Sequence, residues 1–134
     1  MGAQIDWQAL IDRARAARKN AHAPYSSFLV GAALATESGE IFTGANVENA
    51  SFGLTICAER VAASTAVAAG FRKFTAIALV TDTKEPVLPC GACRQFLAEF
   101  GVALQIHCAA CDGLGSTFLL SDLLPSAFID FRGA

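Results

Sequence analysis

The chain has 134 residues, 54% of them hydrophobic and 16% charged, with a formal net charge of −2. That length predicts one domain, spanning 1–134, with room for a real core, and the charge excludes an electrostatic footprint for nucleic acid, since basic residues gather only at Arg13, Arg15, Arg18 and Lys19. No apolar run reaches the roughly 18 residues of a membrane span. The opening residues lack the basic-then-apolar pattern of an export signal, and five cysteines without such a signal favour metal binding or free thiols over disulfides, which points to the cytoplasm.

In chain order, Asp6 is a suitable N-cap for an amphipathic helix over 7–19, with Trp7, Leu10, Ile11, Ala14 and Ala17 on one side. Pro24 marks a loop over 23–27. Two strands, 28–35 and 41–47, flank a turn at 37–40 and predict a hairpin. Residues 46–55 are polar and irregular. A second helix runs from Cys57 to Gly70, a good C-terminal glycine. It carries no charge after Arg60, so it is expected to be buried on all sides, in part against a neighbouring subunit. A strand over 74–80, a helix over 90–100 closed by Gly101, strands over 103–108 and 117–120, and a helical turn over 121–124 before Pro125 complete the reading. Strands alternating with helices after residue 50 predict an α/β layered fold with a mixed sheet.

Two short stretches carry the chemistry: Cys57-Ala58-Glu59-Arg60 and Pro89-Cys90-Gly91-Ala92-Cys93-Arg94. Three thiolates leave a tetrahedral zinc ion one open position, as a catalytic site requires. Glu59 is then spare and can move protons for a water on the metal. Both clusters fall where a helix begins, and helix N-termini favour the thiolate form. Cys90 and Cys93 are three apart and share one face of a helical turn. Arg60 and Arg94 each adjoin the site, and one or both are expected to donate hydrogen bonds to the sulfurs and drain their charge. A rival pairs Cys90 and Cys93 with Cys108 and Cys111 in a closed, structural four-cysteine site. It leaves Glu59 and Arg60 unexplained.

C-x-E followed by P-C-x-x-C is the pattern of zinc-dependent nucleobase deaminases. Together with Pro24-Tyr25-Ser26-Ser27-Phe28-Leu29-Val30-Gly31-Ala32-Ala33, Asn46-Val47-Glu48-Asn49-Ala50-Ser51 and Leu123-Leu124-Pro125-Ser126-Ala127-Phe128, it makes the chain resemble the small, homotetrameric cytidine deaminases over nearly its whole length. The resemblance implies a three-layer α/β/α fold with a mixed, mostly five-stranded sheet. It implies one Zn²⁺ per subunit on Cys57, Cys90 and Cys93, and Glu59 as proton shuttle. It further implies a nucleoside pocket built from Phe28, Asn46, Val47, Glu48, Asn49, Ala50, Ser51, Phe52, Ala58 and Phe128. Asn46 and Glu48 match the pair that holds the ribose 3′-hydroxyl; Phe28 matches a ring beside the pyrimidine, and Phe128 one that neighbouring subunits contribute. An amide and a carboxylate two apart in an extended segment point the same way and suit a hydroxyl. Phe52 departs from the family, which has tyrosine there. His22, His107, Cys108 and Cys111 match no functional position.

The implied reaction is hydrolysis of cytidine and 2′-deoxycytidine to uridine and 2′-deoxyuridine with release of ammonia, in pyrimidine salvage, in a cytoplasmic homotetramer with shared sites. No nucleic-acid or membrane partner is expected. Rivals are deamination of another small cytosine compound such as blasticidin S, deamination within RNA or DNA, and a non-catalytic zinc-stabilised module. The first group lacks the Asn-x-Glu-Asn-Ala-Ser segment, and the second requires a basic path for the strand.

Overall fold

The computed structural model describes residues 4–131. Helix α1 (Trp7–Arg18) is capped by Asp6, whose side chain accepts from the Ala9 N–H. Strands β1 (Val30–Thr36) and β2 (Ile41–Ala45) follow as an antiparallel hairpin. A 3-10 turn (Phe52–Leu54) leads to α2 (Ala58–Ala68), then β3 (Phe74–Thr81), α3 (Gly91–Ala98), β4 (Gln105–Ala109), β5 (Gly115–Leu119) and a short α4 (Leu120–Leu123). The sheet order is β2-β1-β3-β4-β5, with β3 and β4 parallel and the other pairs antiparallel. A parallel pair needs a long crossover, and α3 lies within it.

The three layers follow from strand alternation. Ala32, Leu34, Ile77, Leu79, Ile106 and Cys108 face α2 and α3, where they meet Ala58, Ala62, Ala63, Ala66, Leu97 and Ala98. The intervening Ala33, Ala76, Ala78, Val80 and Ala109 face α1 and its Leu10, Ile11 and Ala14. Both sheet faces are thus covered, which is why the strands read as continuous apolar runs. Among the described residues, no helix is long and apolar enough to cross a membrane.

Several boundaries differ from those expected. Strand β1 begins at Val30 because Ser27 takes a left-handed conformation (φ 59) and Asn46 Nδ2 holds the Phe28 carbonyl at 2.7 Å. Strand β2 stops at Ala45, since Val47 leaves the ladder to bridge His22 and Ile56. Helix α2 is not buried on all sides within the chain: Ser64, Thr65 and Ala68 are exposed. Its end is as expected. Gly70 (φ 101) donates to Val67 O and Phe71 to Ala66 O, the paired bonds of a Schellman motif.

Helix α2 lies unusually close to β2. A Cβ on Gly44 would sit 2.5 Å from the Ala62 nitrogen and 2.6 Å from the Ala58 oxygen, both backbone atoms. Gly44→Ala should therefore push α2 off the sheet at an overpacking cost of about 1–3 kcal/mol, a fall of roughly 3–10 °C in melting temperature for a chain of this size. Thermal unfolding followed by circular dichroism checks this; an unchanged midpoint would show that the helix moves outward freely.

Candidate active site

Cys57 is the N-cap of α2 and Cys90 the N-cap of α3, both with extended backbone and neither using its sulfur as a cap acceptor. Cys93 lies in the first turn of α3 and is buried. The Sγ atoms of Cys57, Cys90 and Cys93 all lie within 4.8 Å of one another, with Cys57 and Cys90 at 4.0 Å. Tetrahedral zinc with Zn–S bonds near 2.3 Å holds its sulfurs about 3.8 Å apart, so the donor set and its spacing fit that ion and leave a fourth position open. Among the described residues no other group of histidines, cysteines and carboxylates gathers in this way. Cys108 is buried in β4 and Cys111 is exposed beyond its end, so the four-cysteine arrangement is not formed.

The electrostatics of the cluster follow from crowding. The Cys57 thiol is lowered to about 5, first by a hydrogen bond from Cys93 and then, against the opposing effect of burial, by Arg60 and Cys90. Cys93 is raised, because its proton is the one shared with the Cys57 sulfur and because it is buried beside Glu59. Metal binding displaces such protons. Arg60 donates from Nη2 to Cys57 Sγ at 3.8 Å and to the Thr55 carbonyl at 3.2 Å, while its buried Nε has no hydrogen-bond partner. Arg94 directs its donors to carbonyls instead, Pro89 O and Leu123 O, both at 2.8 Å. It braces the turn that presents Cys90 against α4. Glu59, in the first turn of α2, is 5% exposed and is pushed up to about 6, chiefly by burial and further by the charge on Cys57.

A cavity of about 340 Å³ opens over these groups, within the ~300–1,000 Å³ of small-molecule sites. Cys57, Ala58, Glu59 and Cys90 line it, with Phe28, Asn46 and Glu48 also in the wall. Ser26, Val30, Thr55, Leu79, Thr81, Val87 and Leu88 complete it; these are ordinary residue types that no motif singles out, although Ser26 and Val30 fall inside the stretch that carries the resemblance. A hollow of comparable volume, about 370 Å³, is lined by Glu37, Ser38, Gly70, Phe71, Arg72 and Lys73 and contains none of the motif residues. Chemistry, not size, distinguishes the two. Val47, Asn49, Ala50 and Ser51 do not line the motif cavity. Phe52, 72% exposed, lies in an adjoining depression with Tyr25, Ser26, Glu48 and Thr55. Phe128 is 66% exposed and lines neither.

Fold and site together describe an α/β/α protein with a three-cysteine zinc centre and a buried glutamate beside it. Residues 5–109 match the family model described as the cytidine and deoxycytidylate deaminase zinc-binding region, and the chain belongs to that family. It is 50% identical to a cytidine deaminase of Halalkalibacterium halodurans over 125 residues, covering 92% of this chain and 95% of the relative. It is 48% identical to a probable cytidine deaminase of Dictyostelium discoideum, covering 93% and 85% respectively. Its fold superposes on the crystal structure of cytidine deaminase from Burkholderia pseudomallei with a TM-score of 0.89 at 50% identity, covering 92% of this chain and all of that one. The Mycobacterium tuberculosis cytidine deaminase structure gives 0.83 at 40% identity, covering 93% and 98%.

Cys57→Ala should abolish stoichiometric zinc binding, whereas Cys108→Ala and Cys111→Ala should retain it. Elemental analysis of the three purified variants decides, and zinc kept by the first but lost by the other two would relocate the metal.

Proposed function

We propose that this chain is a single deaminase domain that hydrolyses cytidine and 2′-deoxycytidine to uridine and 2′-deoxyuridine, releasing ammonia, in pyrimidine salvage in the cytoplasm. The observation that carries the reading is Glu59: a carboxyl 5% exposed, two residues after Cys57 of the three-sulfur cluster, in the wall of a cavity that a nucleoside can fill. Cys57, Cys90 and Cys93 hold the ion, and zinc in such a site supplies a Lewis acid that brings a water's pKa toward neutrality. Glu59 takes a proton from the attacking water, delivers one to the ring N3, and helps protonate the departing amino group. The new bond is C4–O and the broken one C4–N. Because Glu59 is buried, its interactions with the tetrahedral centre are made without competition from solvent, which favours that centre over the planar ring.

The remaining wall supports a nucleoside over a nucleotide. Two carboxylates, Glu48 and Glu59, and no lysine or arginine line the cavity, so a phosphate dianion would meet like charge and no partner. Phe28 offers a ring face for the pyrimidine, while Asn46 and Glu48 offer an amide and a carboxylate for a sugar hydroxyl. Arg60 lowers the charge on Cys57 Sγ and so preserves the Lewis acidity of the ion.

Assembly follows from what the chain leaves uncovered. Val47, Phe52, Leu54, Ile56, Phe128, Ile129 and Phe131 are all exposed, so two short segments, 47–56 and 128–131, carry uncovered apolar surface. A homotetramer would cover it and bring Phe128 of one subunit to the pocket of another.

Glu59→Gln should keep fold and zinc but lose at least about 10²-fold in kcat, followed by the loss of ultraviolet absorbance of cytidine; near wild-type turnover would refute the proton-shuttle role. Light scattering should give four times the 14.0 kDa subunit mass. Phe128→Ala should weaken substrate binding, and mixing it with Glu59→Gln subunits should restore part of the activity. A monomeric mass would sink the assembly.

A further inference from the structure

Glu48 is already occupied on one side by the chain itself. Its Oε1 accepts the backbone N–H groups of Tyr25 at 3.0 Å and Ser26 at 3.1 Å, and its Oε2 accepts the Ser26 hydroxyl. Ser26 Oγ in turn accepts the Phe28 N–H at 3.0 Å. That last bond matters for direction: with a donor aimed at its oxygen, the Ser26 hydroxyl hydrogen is turned toward the carboxylate. The left-handed Ser27 (φ 59) is the bend that lets the Phe28 amide fold back onto Ser26. A carboxylate offers about four lone-pair sites. Three are taken here, and the remaining one is on Oε2, the oxygen that Ser26 grips. Ser26 and Glu48 line the same cavity as Glu59.

We propose that Ser26 is a positioning residue for the sugar: its hydroxyl fixes the rotation of the Glu48 carboxylate so that the free lone pair of Oε2 faces a nucleoside hydroxyl. The proposal rests on the reading of Glu48 as the group that accepts the sugar 3′-hydroxyl. Without the Ser26 hydroxyl, the carboxylate is tethered through Oε1 alone, and Oε2 is free to swing toward solvent. The ordinary behaviour of such a group follows: hydrogen bonds from Ser26 hold the Glu48 carboxyl below its usual range, a sign that the charged, accepting form is the one the loop stabilises.

The test is steady-state kinetics on cytidine and 3′-deoxycytidine with the zinc-loaded protein and its Ser26→Ala, Ser26→Thr and Glu48→Ala variants. Ser26→Ala should raise KM for cytidine about tenfold, the worth of one hydrogen bond to a charged acceptor. It should leave kcat unchanged and KM for 3′-deoxycytidine unchanged. Ser26→Thr, which keeps the hydroxyl, should restore the wild-type values. An equal rise on both substrates would reduce Ser26 to a loop brace and overturn the proposal, as would no rise on either. If Glu48→Ala erases the preference for cytidine over 3′-deoxycytidine while Ser26→Ala preserves it, only the role of Ser26 fails. If Glu48→Ala leaves the preference intact, the sugar reading itself fails, and the proposal with it.

Discussion

Three sulfurs within 4.8 Å of one another impose the constraint on which the rest of this structure depends. Three thiolates so close repel strongly, and the cluster persists only where something offsets the charge. Two helix N-termini point at it, each with unpaired N–H groups. Arg60 adds a guanidinium to Cys57. A divalent cation supplies the remainder. The two helices must therefore end their approach at one spot, and this explains the small residues along α2. Ala58, Ala62, Ala63 and Ala66 are fully buried, and Gly44 receives the Ala58 and Ala62 backbone directly. Larger side chains would hold α2 away from the sheet and carry Cys57 out of reach of Cys90.

The same arrangement separates the tasks of the two arginines. Arg60, on the helix of the more acidic thiol, reaches a sulfur; Arg94, on the other helix, reaches Pro89 and Leu123 carbonyls. One modulates charge and the other geometry. Their positions in sequence are alike, each one residue from a key group, so only the fold distinguishes them. Burial treats the carboxylates in a parallel way. Glu59 is desolvated and raised, while Glu48 is solvated, hydrogen-bonded and lowered. Two carboxyl groups in one cavity are thereby held at different proton affinities, a condition that suits one to proton transfer and the other to accepting hydrogen bonds.

The zinc cluster was legible in the sequence because coordination chemistry demands particular residue types at short spacings. Cys57, Cys90 and Cys93 could be placed before any coordinates, and so could the two helix starts. The α/β layering was legible from apolar runs interrupted by glycine-capped helices. The outline of the pocket was not. Thr55, Leu79, Thr81, Val87 and Leu88 enter it through tertiary position alone, and nothing in their chemistry marks them. The start of β1 was missed by two residues because the side chain of Asn46, eighteen residues after Phe28, takes the Phe28 carbonyl. The sequence expects α2 to be covered in part by a neighbouring subunit, and Ser64, Thr65 and Ala68 are the residues it leaves exposed within one chain. Val47, Asn49, Ala50 and Ser51 lie in a segment that carries the resemblance without lining the cavity of this chain.

Strand order also has a kinetic meaning. The β1–β2 and β4–β5 hairpins pair residues close in sequence, such as Ala35 with Ile41 and Ala109 with Gly115. The central strand does not: β3 joins β1 by pairing Val30 with Thr81 and Leu34 with Ile77. Closing loops of that length is the slow part of forming such a sheet. Helix α2 precedes β3 and helix α3 follows it, so the approach of Cys57 to Cys90, 33 residues apart, closes a shorter loop than the pairing of β1 with β3. A metal on the three sulfurs ties the start of α2 to the start of α3, and because that site exists only in the folded arrangement, its binding free energy adds to the stability of the fold.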